Sequence, residues 1–215
     1  GHALSMGLSA YRDALYSEQR PDRGRTTTSV VVRDSLSFWG ERIRLVPGLR
    51  FEWNQGFDSQ WLPAFGAVFM PVPWLRIRGN IQKSYRVPGF DELYLPDKGY
   101  IAGNPDLDAE SARNADVGIE FVLDQLGPFE SIQANLGYFQ QDIENSVAWV
   151  PVSPRKVMPV NTGAARIRGV EASLSFALTR FLRVAGNYTG LDAENLSTGG
   201  PLAGRAEAEA DVRIE

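Results

Sequence analysis

The sequence predicts an all-β protein: an antiparallel up-and-down meander of about ten long strands, of the kind that crosses a membrane as a β-barrel. Three observations predict it. Apolar and polar residues alternate along much of the chain. The alternating runs exceed the usual strand of about 5–6 residues and suit the roughly 9–11 that a tilted strand needs to cross a bilayer. The connections read alternately short and long, as they do where tight turns close one end of a barrel and long loops cap the other.

The strands are expected at 3–15, 29–39, 42–54, 62–70, 74–86, 115–124, 130–142, 167–178, 181–191 and 207–215. The third sets Ile43, Leu45, Leu49, Phe51 and Trp53 against Arg44, Arg50 and Glu52. In the fifth, Leu75, Ile77, Ile81 and Tyr85 oppose Arg76, Arg78, Asn80 and Gln82. Ile132, Ala134, Leu136 and Tyr138 oppose Ser131, Gln133, Asn135 and Gly137 in the seventh. Val170, Ala172, Leu174, Phe176 and Leu178 oppose Glu171, Ser173 and Ser175 in the eighth. Side chains at every second position share a face, so each run has one apolar and one polar side. No window has a helical period with caps.

Between the strands, 40–41, 71–73, 125–129 and 179–180 read as tight turns. Residues 16–28, 55–61, 87–114, 143–166 and 192–206 read as longer polar loops. Aromatic residues gather near both strand ends: Phe38, Trp39, Trp74, Phe129 and Phe181 at one, and Tyr11, Tyr16, Trp53, Tyr85, Tyr138 and Tyr188 at the other. Two such belts are the girdles of a membrane barrel, although aromatic residues favour strands in any protein. The polar face faces a lumen in a barrel and bulk water in a sandwich; periodicity alone does not choose.

Composition narrows the chemistry. The net charge is −4, which leaves no basic footprint for nucleic acid. With no cysteine there are no disulfides, thiolate metal sites or thiol nucleophiles. The single histidine, His2, follows Gly1 and reads with it as the remnant of a cleaved tag. No constellation for an enzyme is present. Asp106-x-Asp108-x-Glu110 starts like a calcium loop, but Ser111 stands where glycine is required and Val117 where the bidentate glutamate belongs. Looser calcium binding by loop 87–114 is weighed against a plainly solvated loop; no other cofactor is indicated. Arg76, Arg78, Lys83 and Arg86 form a basic stripe, either a contact surface or a solvated inner wall.

The residues that carry a family likeness lie at 84–120. "SYRVPGFDELY" and then "GNPDLDAESARNADVGIE" resemble the barrels of TonB-dependent outer-membrane receptors, which carry an aromatic-Arg-x-Pro-x-Phe-x-Glu-Leu run, a loop, Gly-Asn-Pro-x-Leu, and a strand ending Gly-x-Glu. "VNTGAARIRGVEASLSF" (160–176) is similar to the family's next strand entry, and the Pro-Leu-x-Gly-Arg phrase at 201–205 to the hairpin after it. The cobalamin and catecholate-siderophore receptors are the nearest subgroup. The resemblance implies that 1–215 is an internal part of a larger barrel, lacking the plug, the TonB box and the last strands. Such barrels have 22 strands around a plugged lumen.

The function implied is that of a bacterial outer-membrane receptor that binds a scarce nutrient (a ferric siderophore, haem or cobalamin) and imports it with TonB-coupled energy. The fragment itself is not expected to transport. Its implied partners are the nutrient, the plug domain, TonB and outer-membrane lipid. Phe90, Tyr94, Tyr100 and Arg86, in an extracellular loop, are the ligand contacts the likeness points to. Two unpaired edges and one bare apolar face predict oligomerisation or detergent dependence. Two other readings stay open: a smaller passive barrel or porin, and a soluble antiparallel β protein used for binding.

Overall fold

A computed structural model describes residues 1–17, 20–179, 182–202 and 207–214. The strands are β1 (His2–Ser17), β2 (Arg20–Phe38), β3 (Ile43–Asn54), β4 (Phe57–Val72), β5 (Leu75–Arg86), β6 (Glu110–Leu126), β7 (Phe129–Glu144), β8 (Val147–Ser153), β9 (Lys156–Asn161), β10 (Ala165–Thr179), β11 (Leu182–Asn195), β12 (Gly200–Pro201) and β13 (Ala208–Ile214). One short helix, α1 (Phe90–Tyr94), follows β5. β1 to β7, β10 and β11 pair in sequence order as one antiparallel sheet, and β12 and β13 pair with β11. β8 and β9 form a separate two-stranded hairpin.

The pairing register carries the alternation across the sheet. Ile77 stands opposite Ile119, Ile119 opposite Leu136, Leu136 opposite Ala172, Ala172 opposite Tyr188, and Tyr188 opposite Ala210. On the first strands Met6, Val32 and Leu49 continue the same kind of row. These side chains are not buried by protein: Met6 is 72% exposed and Leu136 57%. An apolar band of this width, left bare by its own chain, is the surface that lipid covers. The opposite face runs Arg76, Glu120, Asn135, Ser173, Asn187, Asp211 from strand to strand. Its members bond across the strands: Arg76 Nη1 to Glu120 Oε2 (2.8 Å), Asn135 Nδ2 to Ser173 Oγ (3.0 Å), and Asn187 Nδ2 to Asp211 Oδ2 (3.1 Å).

Several loop boundaries differ from expectation. Residues 16–28 and 55–61 are largely strand, because β1–β2 and β3–β4 rise as tall hairpins; the second turns at Gln55–Gly56, where Gly56 takes a φ of 86°. β6 starts at Glu110 rather than 115, and 143–166 contains the β8–β9 hairpin. The short–long rhythm is therefore less regular than it reads in the sequence. The physical reason is that these strand extensions stand above the apolar band. There the covered face carries polar residues such as Arg25, Thr27 and Asn54, so no apolar period-two pattern betrays them.

The aromatic belts hold in part. Phe38, Trp39 and Trp74 are exposed at one end, and Trp53, Tyr138 and Tyr188 at the other. Tyr11 pairs with Thr27 on the polar face instead of the apolar one, and the Tyr85 hydroxyl donates to the Asp58 carbonyl (3.2 Å). Phe181 lies outside the described residues, as do 203–206 of the Pro-Leu-x-Gly-Arg hairpin. Strand alternation also separates Lys83 from Arg76, Arg78 and Arg86, so the basic stripe is not a single face.

Candidate ligand-contact cap

The connection from β5 to β6 is folded in its own right. After Pro88, Gly89 adopts an extended conformation and its N–H donates to the Glu92 carboxylate (2.7 Å), which starts α1. Leu95 precedes Pro96, and a residue before proline resists the helical region, so the helix ends after Tyr94. The chain then doubles back: Gly103 N–H donates to the Leu95 carbonyl (2.8 Å) and Asn104 N–H to that of Glu92 (2.7 Å). A Cβ on Gly103 would stand 2.5 Å from the Leu95 nitrogen, so only glycine permits this approach. Leu93, Ala102 and Leu107 are buried there.

The β8–β9 hairpin docks on this loop. Val157 N–H donates to the Tyr100 carbonyl (2.9 Å), and Ala102 N–H to that of Val157 (3.2 Å). Asn104 Nδ2 donates to the Pro159 carbonyl (3.1 Å), and Asp108 N–H to Asn161 Oδ1 (2.9 Å). Lys156 Nζ meets Asp97 Oδ2 at 2.6 Å. That hydrogen bond, reinforced by the Gly99 N–H, holds the Asp97 carboxyl below its usual pKa. Two long connections from the same end of the sheet thus form one cap.

Cations from the β1–β2 hairpin hold the cap from the other side. Arg25 Nη1 donates to the Pro88 carbonyl (2.8 Å) and its guanidinium lies 5.3 Å from the Phe90 ring centre and 6.0 Å from that of Phe57. Arg23 lies 4.6 Å above the Tyr94 ring. Under the cap is a cavity of about 440 Å³, lined among others by Leu15, Arg23, Tyr94, Leu95, Lys156 and Met158.

The four contact residues fall into different settings. Arg86 Nη1 donates to Glu92 (2.9 Å) and its Nε to Glu110, whose other oxygen accepts the Val147 N–H. Arg86 therefore ties β5, α1, β6 and β8 together. Phe90 and Tyr94 are half-buried against the two arginines, and Tyr100 is 64% exposed. The acids of the calcium reading do not converge: Glu110 faces Arg86, and among the described residues no three acidic or histidine groups are placed to share a metal. Sequence reasoning missed Arg23 and Arg25, which lay inside an apparent loop. The polar run Arg-Pro-Asp-Arg-Gly-Arg at 20–25, followed by three threonines, gave no signal for a rigid hairpin.

Comparison with known families decides the class. The model for the TonB dependent receptor-like β-barrel matches residues 3–212. The chain belongs to this family. TonB-dependent receptors are outer-membrane proteins of bacteria, and the bare apolar band has its lipid there. The vitamin B12 transporter BtuB of Photobacterium profundum is 24% identical over all of this chain and 34% of its own length. The ferric enterobactin receptor PirA of Pseudomonas aeruginosa is 27% identical over 74% of this chain and 24% of its own. The chain spans about a third of the length of the first of these relatives. The crystal structure of the ferric enterobactin receptor PfeA in complex with BCV-L6 shares the fold, with a TM-score of 0.82 at 18% identity over 99% of this chain and 36% of that one. The siderophore receptor PirA from Pseudomonas aeruginosa has a TM-score of 0.77 at 23% identity, over 89% of this chain and 37% of that one. These relatives are transport receptors rather than enzymes, and they do not favour a passive barrel or a soluble binder.

Proposed function

We propose that the chain forms a wall segment of a receptor that captures a scarce nutrient at the cell surface for TonB-coupled import. The observation that carries this is the cap: two long connections at one end of the sheet fold onto each other and, with the β1–β2 hairpin, line an open cavity. The nutrient contacts this cap. Tyr100 offers an exposed ring for stacking, while Phe90, Tyr94 and Arg86 set the shape of the site through their arginine and glutamate partners. Arg23 lines the cavity together with the Lys156–Asp97 ion pair, which leaves the lining one net positive charge. That favours an anionic chelate, a ferric siderophore, ahead of cobalamin. A plug domain and TonB complete the machine as partners.

The test is binding to the outer-membrane protein that contains this chain, solubilised in detergent. A ferric catecholate siderophore should bind and quench tryptophan emission. Tyr100→Ala should weaken it by up to about tenfold, the worth of one aromatic contact of roughly 1–1.5 kcal/mol. Tight cobalamin binding with no siderophore response would shift the reading to cobalamin. Identical affinity in the Tyr100→Ala protein would remove this cap from the site.

A further inference from the structure

The Asn-Thr-Gly run at 161–163, where β9 gives way to β10, does not line the cavity under the cap, yet three connections meet on it. Asn161 clasps the first. Its Oδ1 accepts the Asp108 N–H (2.9 Å) and its Nδ2 donates to the Asp108 carbonyl (3.1 Å). One side-chain amide thus pairs with both backbone groups of a cap residue, as a neighbouring strand would. The same Nδ2 donates to the Asn145 carbonyl (2.8 Å), just before β8. Asn145 holds a φ of 55°, a left-handed conformation that asparagine tolerates.

Thr162 and Gly163 fix the base. The Ser146 N–H donates to the Gly163 carbonyl (2.8 Å), and the Ser146 carbonyl accepts the Thr162 N–H (2.6 Å) and Oγ1 (3.1 Å). The third connection follows β11. Ser197 Oγ accepts the Ala164 N–H (3.1 Å), and the Leu196 N–H donates to the Ala164 carbonyl (2.8 Å). Gly163 has a φ of 88°, and a Cβ there would overlap Ser197 Oγ, so glycine alone permits the approach. Ala165, the first residue of β10, is fully buried, which sets this base in the wall.

Along β9, Val157, Pro159 and Asn161 dock on the connection from β5 to β6 at every second residue. Asn161 is the rung nearest the wall. Lys156 and Met158, farther along the same strand, line the cavity. We infer that Asn161 is a positioning residue for the nutrient site: it acts through β9, holding Lys156 and Met158 over the cavity; this rests on the cap being the nutrient site. An amide supplies donors to two carbonyls and an acceptor to one N–H at the same place. A carboxylate of the same shape would set negative charge against the Asp108 and Asn145 carbonyls.

The experiment compares Asn161→Ala and Asn161→Asp with wild type in the intact, detergent-solubilised outer-membrane protein. Titration with a ferric catecholate siderophore should show about tenfold weaker binding for Asn161→Ala, from the three hydrogen bonds lost, and a greater loss for Asn161→Asp. Hydrogen exchange of the Asn104, Asp108 and Val157 amides should quicken in both variants, with amides in the middle of β6 and β7 unchanged. A space-filling role would leave the isosteric Asn161→Asp protein close to wild type. Wild-type affinity in either variant, a milder loss for Asn161→Asp than for Asn161→Ala, or equal quickening across the sheet would overturn the inference. No siderophore binding by the wild type would instead overturn the siderophore reading of the cap, and exchange of the three cap amides would still decide whether Asn161 holds it.

Discussion

Replacing Arg25 by alanine should free the cap while leaving the sheet intact. The Arg25 side chain is only 12% exposed and makes a charged hydrogen bond to the Pro88 carbonyl at 2.8 Å. Such a bond contributes about 1.5–3 kcal/mol. Its place beside the Phe90 and Phe57 rings adds on the order of 0.5–2 kcal/mol. Asp13, at 3.9 Å and 48% exposed, adds little. Against these stands the Arg25 Nε, buried without a partner, whose removal recovers roughly 1–3 kcal/mol. The net loss is about 2 kcal/mol, or roughly 30-fold in the population of open cap. Hydrogen exchange on the detergent-solubilised protein reads this directly. The Leu93, Leu95, Gly103 and Asn104 amides, all bonded inside the cap, should exchange roughly 30-fold faster. Amides of β6 and β7 should not change. Unaltered cap exchange, or equal acceleration in cap and sheet, would refute the idea that Arg25 latches the cap.

Three further outcomes are expected. Leu136→Arg places a charge on the apolar face and should cost about 2–4 kcal/mol if it lies near the bilayer midplane, whereas Asn135→Arg on the polar face should fold nearly normally; urea titration of folding into vesicles compares them. Asn54 is 1% exposed, accepts from Thr27 Oγ1 (2.7 Å) and donates to Glu52 (2.9 Å), so Asn54→Ala should destabilise by about 2–3 kcal/mol in the same titration. The Asp97–Lys156 contact has a depressed carboxylate pKa, so its contribution is present above the unfolded value near 3.8 and is lost as pH falls through the lower folded value. Exchange of the Val157 amide should therefore depart from its normal pH dependence by speeding up below about pH 4, and Lys156→Met should abolish that departure.

The sequence by itself determined the strands that cross the apolar band and which residues of each face lipid. Period-two alternation survives wherever one side is dry and the other wet, as in 75–86, 131–141 and 169–178. The phrase "RVPGFDELY…GNPDL" also carried the family. Only the tertiary structure decided what stands above the band. There the covered face is itself polar, with Arg25 and Thr27 packed against other polar groups, so 20–28 and 57–61 read as loops though they are strands, and β8–β9 left no pattern. The cap depends on contacts between residues far apart in the chain: Arg25 reaches Pro88 across 63 positions and Asn104 reaches Pro159 across 55. No local propensity records such pairings, because the energy that fixes them exists only once the sheet has brought its hairpins to one end.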